Sequence, residues 1–460
     1  MRTFLKILAA LVVVGVIALL AFIFVPVQTT GPKTALAADY QVPDGAGAYA
    51  MRLADCAACH TAEGGKPFAG GRPIESPFGI IYSSNITPDN ETGIGSYTLD
   101  EFRAALYDGI RKDGAHLYPA MPYANYRKLS EEDVRALYHY FHDELKPVNN
   151  QVTETKLDFP FNQRWGIRAW NWVALPDAQF VPPFQDDQLN RGAYLVQGPG
   201  HCGACHSPRN DLFAQAGYTA ADDAFLTGGE IAGWSAPNLR SGASAPQSWD
   251  AEQLALFLAT GRNAHQAVTG EMTLVVEDSL QYFTDDDMAA VVAYLRRIGT
   301  NGPAPESSAP ASSGDKSPAG TPTPATSEND TSKLLASADP GMALGPRLYL
   351  DNCNACHFND GKGASEVFPP LDGNSLVNSQ NATGLISVIL NGAELPSTAK
   401  RPYRLRMPGF ADRLSDDEVA ALATFVRQGW SNNAGAVTAD SVSALRKQGG
   451  EQAAEQSGGR

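Results

Sequence analysis

The sequence predicts an all-α protein, three small helical domains in tandem behind an apolar N-terminal helix. Three observations carry that prediction. An uncharged run of 19 residues, Ile7 to Val25, lies at the start. The six cysteines fall as three pairs of one spacing, each followed directly by a histidine: Cys56/Cys59/His60, Cys202/Cys205/His206 and Cys353/Cys356/His357. Downstream of each pair stands a Ser or Thr with an acidic residue three positions later and apolar residues at helical steps beyond it. At roughly 150 residues per domain, 460 residues allow about three domains. A hydrophobic share of 43 % and a charged share of 18 % exclude a wholly disordered or collagen-like chain. With 35 basic against 50 acidic residues the net charge is −15, which argues against nucleic acid as a partner.

Arg2 and Lys6 precede the apolar run and Pro26 ends it. A 19-residue helix is about 28 Å long, close to the roughly 30 Å hydrocarbon core. It reads as a transmembrane anchor or, given Ala35-Leu36-Ala37 downstream, as a signal helix with a cleavage site. Both readings export the rest of the chain, because the positive charges lie on the N-terminal side.

The cysteine pairs allow a disulfide framework, a redox dithiol or half of a zinc site. The adjacent histidine, repeated three times, fits covalent c-type haem attachment better. Two thiols reach the two vinyl groups of one porphyrin as thioethers, and the next residue ligates the iron. The reading is therefore three covalently bound haem c groups, with Cys56, Cys59, Cys202, Cys205, Cys353 and Cys356 as attachment residues and His60, His206 and His357 as axial ligands. Upstream of the motifs lie Gly47 and Tyr49, Gly192 and Tyr194, and Gly345 and Tyr349. Downstream lie the caps Ser130 to Asp133, Thr284 to Asp287 and Ser415 to Glu418. Each repeat is thus a cytochrome c domain of about 100 residues.

An iron that only passes electrons takes a second axial ligand, for which methionine is usual in cytochromes c. Met121 lies nine residues before Ser130 and Met407 eight before Ser415. Met272 lies twelve before Thr284 and fits that spacing less well. Flanking prolines stiffen the loops of Met121 and Met407. His116 and His265 rival the first two methionines but read as loop or surface residues, Met288 reads as core, and His139, His142 and His201 as structural or solvated. Pro370 either offers its carbonyl to His357 or forms a stiff turn.

The domain reading is then 1–38 signal or anchor helix and spacer, 39–150 first domain, 151–185 aromatic segment, 186–300 second domain, 301–338 linker, 339–432 third domain and 433–460 tail. The aromatic segment holds Trp165, Trp170 and Trp172 and either packs the first two domains together or faces a partner or the membrane. The linker, rich in Pro, Ser, Ala and Thr, reads as a disordered tether. The tail holds a short helix over 438–445 and is otherwise disordered.

The sequence resembles the three-haem cytochrome c subunits of bacterial membrane-bound periplasmic dehydrogenases acting on alcohols, gluconate or aldehydes. Carrying the resemblance are Ser84-Asn85-Ile86-Thr87-Pro88, Thr92-Gly93-Ile94-Gly95, the stretch His116 to Tyr123, Cys205-His206-Ser207-Pro208-Arg209, the stretch Trp234 to Leu239, Gly261-Arg262-Asn263 and Phe368-Pro369-Pro370-Leu371. The resemblance implies an electron-transfer subunit on the periplasmic side of the inner membrane. It implies as partner a separate catalytic subunit with flavin or pyrroloquinoline quinone, and ubiquinone or a terminal oxidase as acceptor. The chain carries no nucleotide-binding glycine fingerprint and no catalytic machinery of its own. The alternative is a multi-haem enzyme, a peroxidase or thiosulfate-oxidising cytochrome, with one open haem.

Overall fold

The computed structural model describes residues 2–32, 34–37, 39–231, 233–242, 244–299 and 328–447. They form two compact units, Met1–Met51 with Cys59–Val181 and Arg52–Ala58 with Pro182–Arg460. Regular structure is mostly helical: α1 Arg2–Phe24, α2 Ala46–Leu53, α3 Cys56–His60, α4 Leu99–Asp108, α5 Tyr123–Tyr126, α6 Glu131–His139, α7 Gly166–Ala174, α8 Asp187–Gln197, α9 Gly203–His206, α10 Ala245–Ser248, α11 Ala251–Thr260, α12 Met272–Asp278, α13 Asp285–Gly299, α14 Glu328–Ser337, α15 Leu344–Asn352, α16 Asn354–His357, α17 Thr383–Asn391 and α18 Asp416–Gln428. A last helix, α19, covers 439–447.

The all-α expectation is corrected by three short antiparallel hairpins. They pair β1 Pro73–Ser76 with β2 Gly79–Tyr82, β3 Gly229–Ile231 with β4 Trp234–Ala236, and β5 Ala393–Glu394 with β6 Arg406–Met407. Strands of two to four residues are too short to print an alternating pattern in the sequence.

In the first unit α1 exposes its apolar side chains along its length, with a mean hydropathy of 3.2 in its most apolar window. Its C-terminal end meets α7. Phe22 stands edge-on to Trp172 at 5.0 Å and to Trp165 at 6.3 Å, and Arg168 donates to the carbonyls of Phe22 and Val25. The opposite face of α7 packs inward, where Trp170 meets Tyr123 and Asn171 accepts from the Tyr123 hydroxyl at 2.9 Å. The described contacts of the aromatic segment thus join α1 to the first helical core, while Trp172 remains 67 % exposed.

One crossing recurs three times. A Cβ on Gly47 of α2 would stand 2.6 Å from the Ala136 carbonyl of α6. On Gly192 of α8 it would stand 2.0 Å from Ala290 of α13, and on Gly345 of α15 2.6 Å from Ala421 of α18. The residue one turn beyond each alanine is aromatic, Tyr140, Tyr294 and Phe425, and its Cβ would also be struck, at 2.7 to 2.8 Å. Glycine is there because the backbones touch, which fixes the crossing of the first and last helix of each repeat. The capped helices begin as the sequence predicts. Ser130, Thr284 and Ser415 accept from the amides of Asp133, Asp287 and Glu418 at 3.1, 3.2 and 3.3 Å. Met288 is core, 6 % exposed.

The expected linker is corrected at its C-terminal end, while the tail helix expected over 438–445 is present over 439–447. Residues 301–327 and 448–460 lie outside the described residues, but α14 is a helix docked on the third core. Leu335 is 1 % exposed, and the Thr331 hydroxyl accepts from the amide of Trp430 at 2.9 Å. In the tail Val442 is fully buried, and Arg446 pairs with Asp416 at 2.8 Å. The third core therefore draws on 328–447 rather than 339–432.

The second unit contains a junction between its parts at 182–299 and 328–447. Glu277 accepts from the amide of Ser397 at 2.6 Å and pairs with Arg404 at 2.9 Å. Gln281 accepts from the amide of Ala399 at 3.0 Å, and the Ser375 hydroxyl donates to Gln266 at 3.2 Å. The third core is docked through these contacts rather than hanging free on a tether.

Candidate haem sites

Each cysteine pair lies on one helical turn, α3, α9 or α16 with its preceding residue, so the two sulfurs and the histidine sit along one short helical ladder. No disulfide joins any of the six. Burial pushes the thiols of Cys202 and Cys353 up to about 12 and that of Cys205 to about 11. Burial thus disfavours the charged thiolate form.

The histidines share one geometry. Nδ1 of His60 lies 2.7 Å from the carbonyl oxygen of Ser84, that of His206 2.9 Å from Pro237, and that of His357 3.0 Å from Pro369. A carbonyl only accepts, so Nδ1 carries the proton and donates. Nε2 keeps its lone pair for a metal. Burial holds all three imidazoles below their usual pKa, partly offset by the carbonyl bond, which favours the neutral ligating form. The residues present therefore fit haem attachment.

The carbonyl acceptors are where sequence reasoning fell short. For Pro370 the sequence left two readings, carbonyl partner of His357 or stiff turn; its carbonyl accepts from Asn374, and the bond to His357 goes to Pro369. Ser84 and Pro237 were not assigned this role. A signal existed: each acceptor stands two residues before an aliphatic residue, Ile86, Leu239 or Leu371, whose amide closes the same loop. Those amides donate to the carbonyls of Phe68, Leu226 and Gly361 at 2.9, 2.9 and 2.7 Å. Two residues further on, the amides of Gly70, Gly228 and Gly363 donate to the carbonyls of His60, His206 and His357 at 2.8, 2.7 and 3.3 Å. Phe68, Leu226 and Gly361 all take positive φ, 60°, 58° and 67°. The same loop is built three times.

The methionines are placed by a second recurring device. After α4, α11 and α17 the chain turns through Gly109, Gly261 and Gly392, all at positive φ. The following residue then pairs across a narrow ladder: Ile110 with His116, Arg262 with Ala267, Ala393 with Met407. Met121 and Met272 each lie five residues beyond their pairing residue. By that register Met272 is the equivalent of Met121, and the looser spacing to Thr284 arises because α12 and a single turn over Leu280–Tyr282 lengthen the return path. Met407 is the one that differs, standing within its hairpin. All three methionines are half-buried, Met272 against Val268, Val276 and Leu280, and Met407 against the third core.

The rival histidines divide. His265 is exposed and stacks on Trp249 at 4.9 Å. His116, expected in a loop or at the surface, is 6 % exposed, and its Nδ1 has no hydrogen-bond partner among the described residues. It is buried because the pairing with Ile110 turns it inward.

These loops, crossings and motifs define a c-type cytochrome. The cytochrome c family model matches residues 43–143 and 342–430. The chain is 43 % identical to the cytochrome c subunit of the quinone alcohol dehydrogenase of Gluconobacter oxydans, over 88 % of this chain and 82 % of that one. It is 40 % identical to the gluconate 2-dehydrogenase cytochrome c subunit of Pantoea cypripedii, over 87 % and 89 %. It is 38 % identical to the fructose dehydrogenase cytochrome subunit of Gluconobacter japonicus, over 93 % and 87 %. The chain belongs to this family, the cytochrome c subunits of alcohol, gluconate and fructose dehydrogenases. Its cofactor is covalently bound haem c and its role electron transfer; the multi-haem enzyme is not favoured.

Proposed function

We propose that this chain carries three haem c groups and relays electrons for a dehydrogenase complex on the periplasmic side of the inner membrane. The observation that carries the count is the threefold loop in which a backbone carbonyl orients the histidine of each cysteine pair. Haem c supplies one-electron transfer when bound. Cys56 and Cys59, Cys202 and Cys205, and Cys353 and Cys356 hold it by thioethers. His60, His206 and His357 would ligate the iron through Nε2, and Met121, Met272 and Met407 through their sulfurs. Cytochrome c domains built on the three glycine crossings enclose the sites.

The relatives' roles as cytochrome subunits support a separate catalytic partner. In this reading that partner uses flavin or pyrroloquinoline quinone, and electrons leave to ubiquinone or a terminal oxidase. Placement at the membrane is supported by α1 and by the exposed Trp165 and Trp172 at its end, side chains suited to the membrane–water boundary. The contacts of Phe22 with α7 support retention of α1 as an anchor rather than its removal. A pyridine haemochrome assay on the detergent-solubilised complex tests the count. Three haems per chain are expected, co-purifying with a dehydrogenase subunit, and two or fewer in mature protein would refute it.

A further inference from the structure

The loop that carries Met272 is pinned at both ends. It leaves α11 through Gly261, at φ 75°, where a Cβ would strike the ring of Pro396 on the third core. Its middle, at Gln266 and Ala267, forms part of a small junction pocket whose facing wall includes Pro369 and Leu395. At its far end Gly270, at φ 60°, lies against the indole of Trp234, so close that a Cβ would stand 2.5 Å from Cδ2. Met272 follows two residues later. Another edge of the same indole faces α17, where a Cβ on Gly384 would stand 3.1 Å from Cε3. One ring is thus held between the methionine arm of the second site and the third core. Two glycines on different cores face it, and a methyl on either would crowd the indole.

Trp234 is tied to the histidine side as well. It opens β4, pairs with Ile231 of β3, and stands three residues before Pro237, whose carbonyl accepts from Nδ1 of His206. The same hairpin meets the third core again where the Asn381 amide donates to Glu230 at 2.9 Å. We infer that Trp234 is the positioning residue that holds the Met272 arm in place and links it to the docking of the third core, an inference that rests on the proposed ligation by Met272. A ligand arm already fixed in its bound path loses little conformational freedom on binding, whereas a loose one must be ordered first. With the indole seated, the path from Gly270 to Met272 is set before the sulfur meets the iron. With the indole gone, ordering the arm opposes ligation and the second site opens. A haem that loses its methionine also loses the ligand that raises its potential.

The test is a spectroelectrochemical titration of the full-length protein in detergent, with haem content measured alongside. Met272→Ala serves as the reference, marking the share of the sulfur-to-iron charge-transfer band and the redox wave that belong to the second haem. Trp234→Ala is expected to keep its haem content, to lose that same share of the band, to lower that same wave, and to bind carbon monoxide at a ferrous site that unmodified protein keeps closed. Trp234→Phe, which still covers Gly270, is expected to lose less of the band. Gly384→Val presses on the indole from the third core and is expected to lose part of the same share, although it lies outside the second site. Gln281→Ala/Ser375→Ala loosens the junction without touching the indole and is expected to leave band and waves in place. A full band with unmoved waves in Trp234→Ala, movement of a wave other than the reference one, or an equal loss in the double variant would overturn the proposal. Should Trp234→Ala fail to load haem, Trp234→Phe and Gly384→Val decide, and an unchanged band in both overturns it. An unchanged band in Met272→Ala would instead overturn the ligand assignment beneath it.

Discussion

A single backbone carbonyl decides which nitrogen each of His60, His206 and His357 offers. Because the oxygens of Ser84, Pro237 and Pro369 accept from Nδ1, the rings are held in one tautomer with Nε2 free. If Met407 ligates the iron as proposed, Met407→His is expected to lower the potential of that haem, since imidazole supports ferric iron better than a thioether does. An unchanged redox titration with an intact sulfur-to-iron charge-transfer band would remove Met407 from the ligand set. Elsewhere in the first unit a buried ion pair sets a stability test. Glu131, 1 % exposed at its side chain, accepts from Arg103 Nε and Nη2 at 3.0 and 2.8 Å and from Arg135 at 2.9 Å. Arg103→Met is expected to cost about 3–5 kcal/mol, read as a lower urea midpoint. Arg135, 31 % exposed, contributes less, and Arg135→Met is expected to cost under about 1 kcal/mol. At this scale the cysteines and histidines were legible because covalent chemistry dictates their spacing. Carbonyl acceptors were not, because every residue carries a carbonyl and only the loop path selects one.

At the scale of elements, the glycine crossings make the sharpest prediction. Gly192→Leu puts a branched side chain where a Cβ alone would meet the Ala290 carbonyl at 2.0 Å. The crossing of α8 and α13 is expected to fail, seen as loss of one haem equivalent from the assembled protein with the other sites still loaded. Retention of full haem content would show that the crossing yields at little cost. The capped helices and the glycines were visible in the sequence, because caps and close approaches demand particular residue types. The docked helix α14 was not. Its ten residues offer Leu334 and Leu335 as large apolar side chains, too few for a period to appear, and its place is set by Thr331 and Leu335 meeting the third core. The register that aligns Met272 with Met121 was hidden for a related reason: it is carried by one-residue ladders at Ile110 and Arg262 rather than by strands.

At the scale of the whole molecule, the docking of the third core changes what the linker is for. The Pro, Ser and Thr composition of 301–327 predicts that limited proteolysis cuts there first. A C-terminal fragment beginning near α14 and carrying one haem is expected. Because Glu277, Gln281 and Gln266 hold that fragment at the junction, it is expected to co-elute with the N-terminal fragment on gel filtration and to separate only in denaturant. Immediate separation in mild buffer would mean that covalent tethering, not the junction, keeps the parts together.

The bond from His357 to Pro369 has one more consequence. Pro369 belongs at once to the imidazole's hydrogen bond and to the wall of the junction pocket, so the peptide that aims the ring is also part of a surface between two bodies. Under the proposed ligation of iron by His357, opening the junction is expected to broaden the iron–histidine stretching band of that site, and an unchanged band would show that Pro369 does not couple the two. For His60 the accepting carbonyl is that of Ser84, which follows the β1–β2 hairpin of its own unit.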